Sequence, residues 1–192
     1  MTPERNSTVT LHPDFAGTWD IDPAHSRIGF QSRHAMVAKV RGAFNSVTGS
    51  VRFDGDAPSD AAIEVRVDMA SVDTRNADRD QHLRGADFFD VETYPEMVFV
   101  STAVDEVEEN SFIVTGDLTI RDVTRHISIP LEMLGLETDP FGQQRAGFEG
   151  SRRIDRKEFG VSWNTPLDSG GVLVSDKVTL EFELSLVKRR EG

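Results

Sequence analysis

Five histidines, 33 carboxylates and 21 lysines or arginines are the groups in this chain that could carry chemistry, and cysteine is absent. Without cysteine there is no thiolate nucleophile, no disulfide and no Cys-based zinc or iron–sulfur centre. His12, His25, His34, His82 and His126 are never two to four residues apart, the spacing a locally built metal site wants, so no metal is expected. Asp54-Gly55-Asp56 begins like a calcium loop, but the later ligand positions do not follow, and an acidic turn is the plainer account. The glycine patterns that cradle phosphate, the H-E-x-x-H zinc motif and the nucleophile elbow are missing too. One constellation remains. Arg75, Arg79 and His82 fall at i, i+4 and i+7, along one helical face, with Asp78 four residues before His82. They could form a polar lid that meets a ligand head group, or an ordinary solvated helix laced with Asp–Arg pairs. Asp80 or Asp87 beside His82 could also supply a general acid–base pair to a barrel enzyme of isomerase or cyclase type acting on an apolar substrate.

The elements that must position those groups are strands. Val178, Leu180, Phe182, Leu184 and Leu186 alternate with Thr179, Glu181, Glu183 and Ser185, the period of a half-buried strand. Ile63, Val65 and Val67 repeat the pattern, as do Phe112, Val114, Leu118 and Ile120, then Ile127, Ile129, Leu131 and Met133 after a tight turn at Arg121-Asp122. Further strands are expected near 17–21, 27–34, 41–47, 49–54, 96–104 and 146–154. Eight or nine long antiparallel strands suit a closed all-β barrel, which also removes exposed edges. Only 74–89 breaks the alternation. It predicts one helix over about 75–88, capped near Asp73 or Thr74 and covering a barrel mouth. A short turn or helix is expected near 34–39, and loops at 137–144 and 164–171.

Phenylalanine outnumbers tryptophan and tyrosine together, 12 against 3, and it brings apolar area without a polar tip to satisfy. An eight-stranded barrel is about the size at which the interior is either filled by side chains or holds one small ligand, and patterning does not decide between them. The net charge of −12 argues against nucleic acid as a partner, and no apolar run is long enough for stable membrane insertion. Lys188-Arg189-Arg190, the longest basic run, is expected to be a solvated tail. Residues 1–14 read as a flexible polar tail before one domain spanning 15–188. They lack the apolar stretch of a secretory leader, so a cytoplasmic location is expected. The sequence leaves homodimer formation open.

Several segments, in order, resemble the YceI-like family: Gly17-Thr18-Trp19-Asp20-Ile21-Asp22-Pro23-Ala24-His25-Ser26-Arg27-Ile28-Gly29-Phe30 with His34, then Val40-Arg41-Gly42-Ala43-Phe44. The longest is His82-Leu83-Arg84-Gly85-Ala86-Asp87-Phe88-Phe89-Asp90-Val91-Glu92-Thr93-Tyr94-Pro95-Glu96-Met97-Val98-Phe99. Gly116-Asp117-Leu118-Thr119-Ile120-Arg121 with Val123-Thr124-Arg125, and Arg156-Lys157-Glu158-Phe159-Gly160-Val161, complete the set. The resemblance implies a lipocalin-like barrel and a non-catalytic binding or carrier protein. Its ligand would be a polyisoprenoid, an isoprenoid quinone or a similar lipid, with no further cofactor. The apolar tunnel is then expected from Phe30, Met36, Phe44, Phe53, Phe99, Leu118, Ile120, Phe148, Trp163 and Phe182. His34, Arg79, His82 and Arg84 are the head-group candidates. Asp122 stands where the family usually has a hairpin glycine, and is expected to tolerate left-handed backbone there. Gly85 replaces a usual serine.

Overall fold

A computed structural model describes residues 13–54 and 57–190. The expected tail, residues 1–14, falls outside these except for Pro13 and Asp14, which open a 3-10 turn ending at Phe15. Gly55 and Asp56 of the acidic turn are outside them as well.

Among the described residues, eleven strands form one antiparallel sheet: β1 (Gly17–Ile21), β2 (Arg27–His34), β3 (Ala38–Phe44), β4 (Val47–Phe53), β5 (Ala61–Asp68), β6 (Val72–Asp73), β7 (Glu96–Glu108), β8 (Ser111–Ile120), β9 (Val123–Thr138), β10 (Gln144–Asp155) and β11 (Lys177–Lys188). Eight of them, in the order β1-β4-β5-β7-β8-β9-β10-β11, close into a barrel when β11 pairs back to β1. The remaining three, β2-β3-β6, extend from β11. β11 is long enough to serve both groups: Leu186–Lys188 pair with β1, and Thr179–Glu183 pair with β2. β8 shows the cause of the architecture most plainly. Its side chains alternate half-buried and buried along its whole length, as expected of a strand with one face to a core and one to water.

Two expectations change. The strand expected over 41–47 is broken at Asn45-Ser46, where β3 stays with β2 and β6 while β4 leaves to join β1 and β5. The helix α1 is Ala77–Arg84, shorter than 75–88, because the Asn76 side chain, not Asp73 or Thr74, caps it by accepting from the Arg79 N–H. Residues beyond Gly85 run in turns that seat Phe88 in the core. At the β8–β9 hairpin the left-handed residue is Arg121 (φ 57°), so the turn does not draw on the tolerance expected of Asp122.

The two ends of the barrel differ. At one end Trp19 is fully buried, stacked on Phe15 at 5.1 Å, and its indole N–H donates to the Phe15 carbonyl at 2.8 Å. Phe53 seals the same end edge-on to Phe15. At the other end lie α1, the 85–95 turns, a 3-10 turn at Arg156–Phe159 and the loop 164–172. No helix among the described residues is long and apolar enough to cross a membrane.

Candidate functional site

A chain of three apolar compartments runs between the ends. The one next to the sealed end is lined by Phe15, Ile21, Val51, Phe112, Phe148, Leu186 and neighbours. The middle one is walled by Ile28, Val67, Phe99, Leu118, Ile129, Phe182 and others, all apolar. Nearest the open end, Phe30, Phe44, Met69, Leu83, Phe88, Phe89, Ile120 and Val174 surround the third. Their cavity volumes are about 60, 60 and 90 Å³ respectively. Shared walls set the compartments end to end: Ile63, Val65, Val114, Leu131 and Leu184 line both the sealed and the middle compartment, and Met97 and Leu180 the middle and the outer one.

Ile63, Val65, Leu131, Phe148, Phe182 and Leu184 all line these compartments, yet they are only partly buried, whereas a filled core leaves its side chains sealed. A lining this apolar is typical of a small-molecule cavity.

Seven of the ten expected tunnel residues are in these walls: Phe30, Phe44 and Ile120 around the outer compartment, Phe99, Leu118 and Phe182 around the middle one, and Phe148 at the sealed end. Phe53 instead belongs to the aromatic plug. Met36 is outside the tunnel, 60% exposed at the tip of the β2–β3 hairpin, because its backbone lies in the turn and not in a strand. Trp163 stands at the mouth, 5.3 Å from the Phe88 ring.

The head-group candidates separate as well. His82 packs edge-on against Phe88 (5.0 Å) and Trp163 (4.8 Å), while its Nε2 faces an Asp87 carboxylate oxygen at 2.9 Å. That places a polar pair on an aromatic rim. Arg79 is turned back on the helix entrance, where Nε and Nη2 donate to the Thr74 hydroxyl and carbonyl at 2.7 Å. Arg84 donates to the carbonyls of Ala70 and Val72. Both are thus engaged in holding the α1 region to the strand below it. His34 is exposed and bridges to Val174 at the edge of the sheet. Asp80 is buried, accepting from the backbone N–H and hydroxyl of Thr74, so it fixes the helix entrance instead of facing His82.

One residue at the site was not singled out by type or spacing. Arg156 is buried, lines the outer compartment, and donates to the carbonyls of Ser175 (2.9 Å), Val161 (2.8 Å) and Val174 (3.4 Å). Burial lowers its pKa below the ordinary guanidinium value, an effect that Asp176 and Asp155 oppose from a distance. An arginine remains charged even so. With Ser32 and Ser50 it is one of three polar residues lining the three compartments, and it puts positive potential at the mouth of an otherwise hydrocarbon tunnel. Its only sequence signal is its place in the Arg156–Val161 segment.

Known proteins of the same build exist. A UPF0312 protein of Photorhabdus laumondii is 41% identical over 140 residues, covering 73% of this chain and 72% of the relative. One from Vibrio parahaemolyticus is 38% identical over 142 residues, 74% of this chain and 75% of that one. Among solved structures, Burkholderia cenocepacia BcnA superposes with a TM-score of 0.75 at 28% identity, covering 86% of this chain and 98% of its own. A polyisoprenoid binding domain from Saccharophagus degradans shares the fold alone, with a TM-score of 0.69 at 16% identity over 89% and 98% of the two chains. The model of the YceI-like domain matches residues 19–186, nearly the whole described barrel. The chain belongs to the YceI-like family.

Proposed function

We propose that this protein is a non-catalytic carrier of one long apolar lipid, a polyisoprenoid or isoprenoid quinone, held lengthwise in the barrel with its head group at the α1 end. The observation that carries this is the row of adjoining apolar compartments, sealed by Trp19, Phe15 and Phe53 at one end and rimmed by His82, Trp163 and Arg156 at the other. A structural neighbour described as polyisoprenoid binding supports the choice of ligand class. Each isoprene unit of about five carbons gains roughly 4 kcal/mol gross on leaving water, at about 0.8 kcal/mol per carbon. A few units therefore outweigh the cost of association without help from the head group. The His82–Asp87 pair sits on the rim, outside the hydrocarbon compartments, so it is placed to orient a polar end and not to reach carbon deep within the tail.

Organic extraction of the purified protein, followed by mass spectrometry, is expected to release a long-chain isoprenoid, chemically unchanged after incubation with the protein. A lipid-free extract that stays empty after the protein is offered a long-chain isoprenoid, or a product formed during incubation, would reject the proposal.

A further inference from the structure

The tip of the β2–β3 hairpin is built against the usual rules. A two-residue turn with positive φ at both positions is normally occupied by Asn-Gly or a similar pair. Here Ala35 (φ 48°) and Met36 (φ 65°) fill it, closed by the Val37 N–H donating to the His34 carbonyl at 3.2 Å. The turn lies beside the loop that lines the outer compartment: the Ala35 N–H donates to the Leu173 carbonyl, His34 bridges to Val174, and the Met36 sulfur faces Gly171. Met36 is 60% and Val37 83% exposed, and Val172 of that loop is 39% exposed. Backbone strain and exposed hydrocarbon thus coincide at one place, a combination found where function maintains it.

The surface behind the tip is cationic, in a chain of net charge −12. Register puts Arg33 directly opposite Lys39, and Gln31 opposite Arg41, on the outward face of the hairpin. The second row continues across the sheet through Thr179 to Arg153. Like charges facing each other across a hairpin are unfavourable in water unless something anionic covers them. Nearby acids do not do so: Asp155 faces Lys177, Asp176 faces Lys157 and Glu181 faces Arg27. Among the described residues, Arg33, Lys39, Arg41 and Arg153 form no ion pair.

We propose that this hairpin docks the tunnel mouth on an anionic lipid bilayer, with Met36 and Val37 entering the interfacial region and Arg33, Lys39 and Arg41 lying against the headgroups. An apolar tip with a basic collar is the chemistry of interfacial anchoring, in which hydrocarbon insertion and headgroup charge each contribute. The surface rests on the carrier reading for its purpose, since it would put the opening where an apolar cargo is stored. Its own evidence is the strained turn and the uncovered cations. The overall acidity does not oppose it, because only charges within about a Debye length of the bilayer count.

The test is flotation of the full chain with vesicles of equal parts phosphatidylcholine and phosphatidylglycerol, against phosphatidylcholine alone. The wild type is expected to float with the anionic vesicles, and added salt is expected to weaken the association. Met36→Asp/Val37→Asp and Arg33→Glu/Lys39→Glu are each expected to weaken it by about tenfold or more. Far-UV circular dichroism confirms the fold of each variant. Ala35→Asn/Met36→Gly removes most of the apolar tip while satisfying the turn, so it is expected to raise the thermal midpoint while lowering vesicle binding. Such a change cannot be ascribed to misfolding. Failure of the wild type to float with anionic vesicles overturns the proposal. So does equal binding by the aspartate tip variant, which would mean electrostatic adsorption only. Lipid extraction reads the tunnel separately: a lipid-loaded protein that ignores vesicles sinks this proposal and spares the carrier, and an empty one that docks does the reverse.

Discussion

Val114→Phe tests whether the tunnel is space or packing. Val114 is 3% exposed, points inward from β8, and lines both the sealed and the middle compartment at their junction. If the barrel were an ordinary filled core, the added ring would overpack it, at a cost of about 1–3 kcal/mol. At about 2–4 °C per kcal/mol for a domain of this size, that is a clear fall in melting temperature. If the junction is open, the ring enters existing space and the lipid-free protein keeps its stability to within about 1 kcal/mol. The ligand then loses the sealed compartment. Excluding even one isoprene unit from it forfeits about 4 kcal/mol gross, close to three decades of affinity measured against water. Melting before and after lipid extraction, with mass spectrometry of the extract, reads both quantities. The variant should purify empty or with a shorter chain, and extraction should shift its melting point less than it shifts the wild type, because bound ligand stabilises by mass action. A variant that loses several degrees and still carries a full-length ligand would refute the tunnel.

Three further outcomes follow from particular contacts. Asp80→Ala leaves the buried N–H and hydroxyl of Thr74 without their acceptor, and should cost about 1–3 kcal/mol in denaturant melts. Arg156→Met removes three charge-assisted bonds that hold the 161–175 segment, so it should cost about 2–3 kcal/mol and loosen ligand retention, read as faster lipid release to acceptor vesicles. The third concerns Arg145, which bridges Asp22 and Asp139 at 2.8 Å each and whose hydrogen bonds hold both carboxyls below the usual carboxylate pKa. A depressed folded pKa gives stability that is present above the unfolded value and lost as pH falls through the folded one. The stability gap between wild type and Arg145→Met should therefore be full at neutral pH and narrow on acidification below about pH 4, as followed by thermal melts.

The barrel was legible because its signal is local. Two-residue alternation in Val178–Leu186 or Phe112–Ile120 fixes which face is apolar, and the partner strand must agree. What stayed hidden depends on residues far apart in sequence. Met36 reads as apolar and so as wall, although it falls within the turn expected near 34–39, and only the closed hairpin shows which way that turn faces. Arg79 and Arg84 read as free cations on a helix face, while tertiary contacts bring carbonyls within reach of both. Phe53 has the inward parity of a wall residue, yet β4 delivers it to the plug. The basic face was invisible for a similar reason. Arg33, Lys39, Arg41 and Arg153 form no run in sequence, and only the order β10-β11-β2-β3 sets them side by side. The averaged charge of −12 conceals them further.

The energetics tie the tunnel to the docking surface. On the carrier reading, a long isoprenoid would gain so much in the tunnel relative to water that its escape into free solution would be negligible. Against a bilayer the comparison reverses, because lipid tails are as apolar as Phe99, Leu118 and Phe182, and moving hydrocarbon between the two is close to neutral. The hydrophobic effect therefore holds the cargo while the protein is in water, and neither holds nor expels it when the mouth meets a membrane. Direction and selectivity then fall to the few polar groups at the rim, His82 with Asp87 and the buried Arg156, which can favour one head group by a few kcal/mol. Rates fall to whatever brings the rim to the lipid surface. On this account Met36→Asp/Val37→Asp should slow transfer between vesicles while leaving the equilibrium loading of the tunnel unchanged, whereas Arg156→Met should alter the equilibrium. If both variants changed only the equilibrium, or only the rate, this division between hairpin and rim would be wrong.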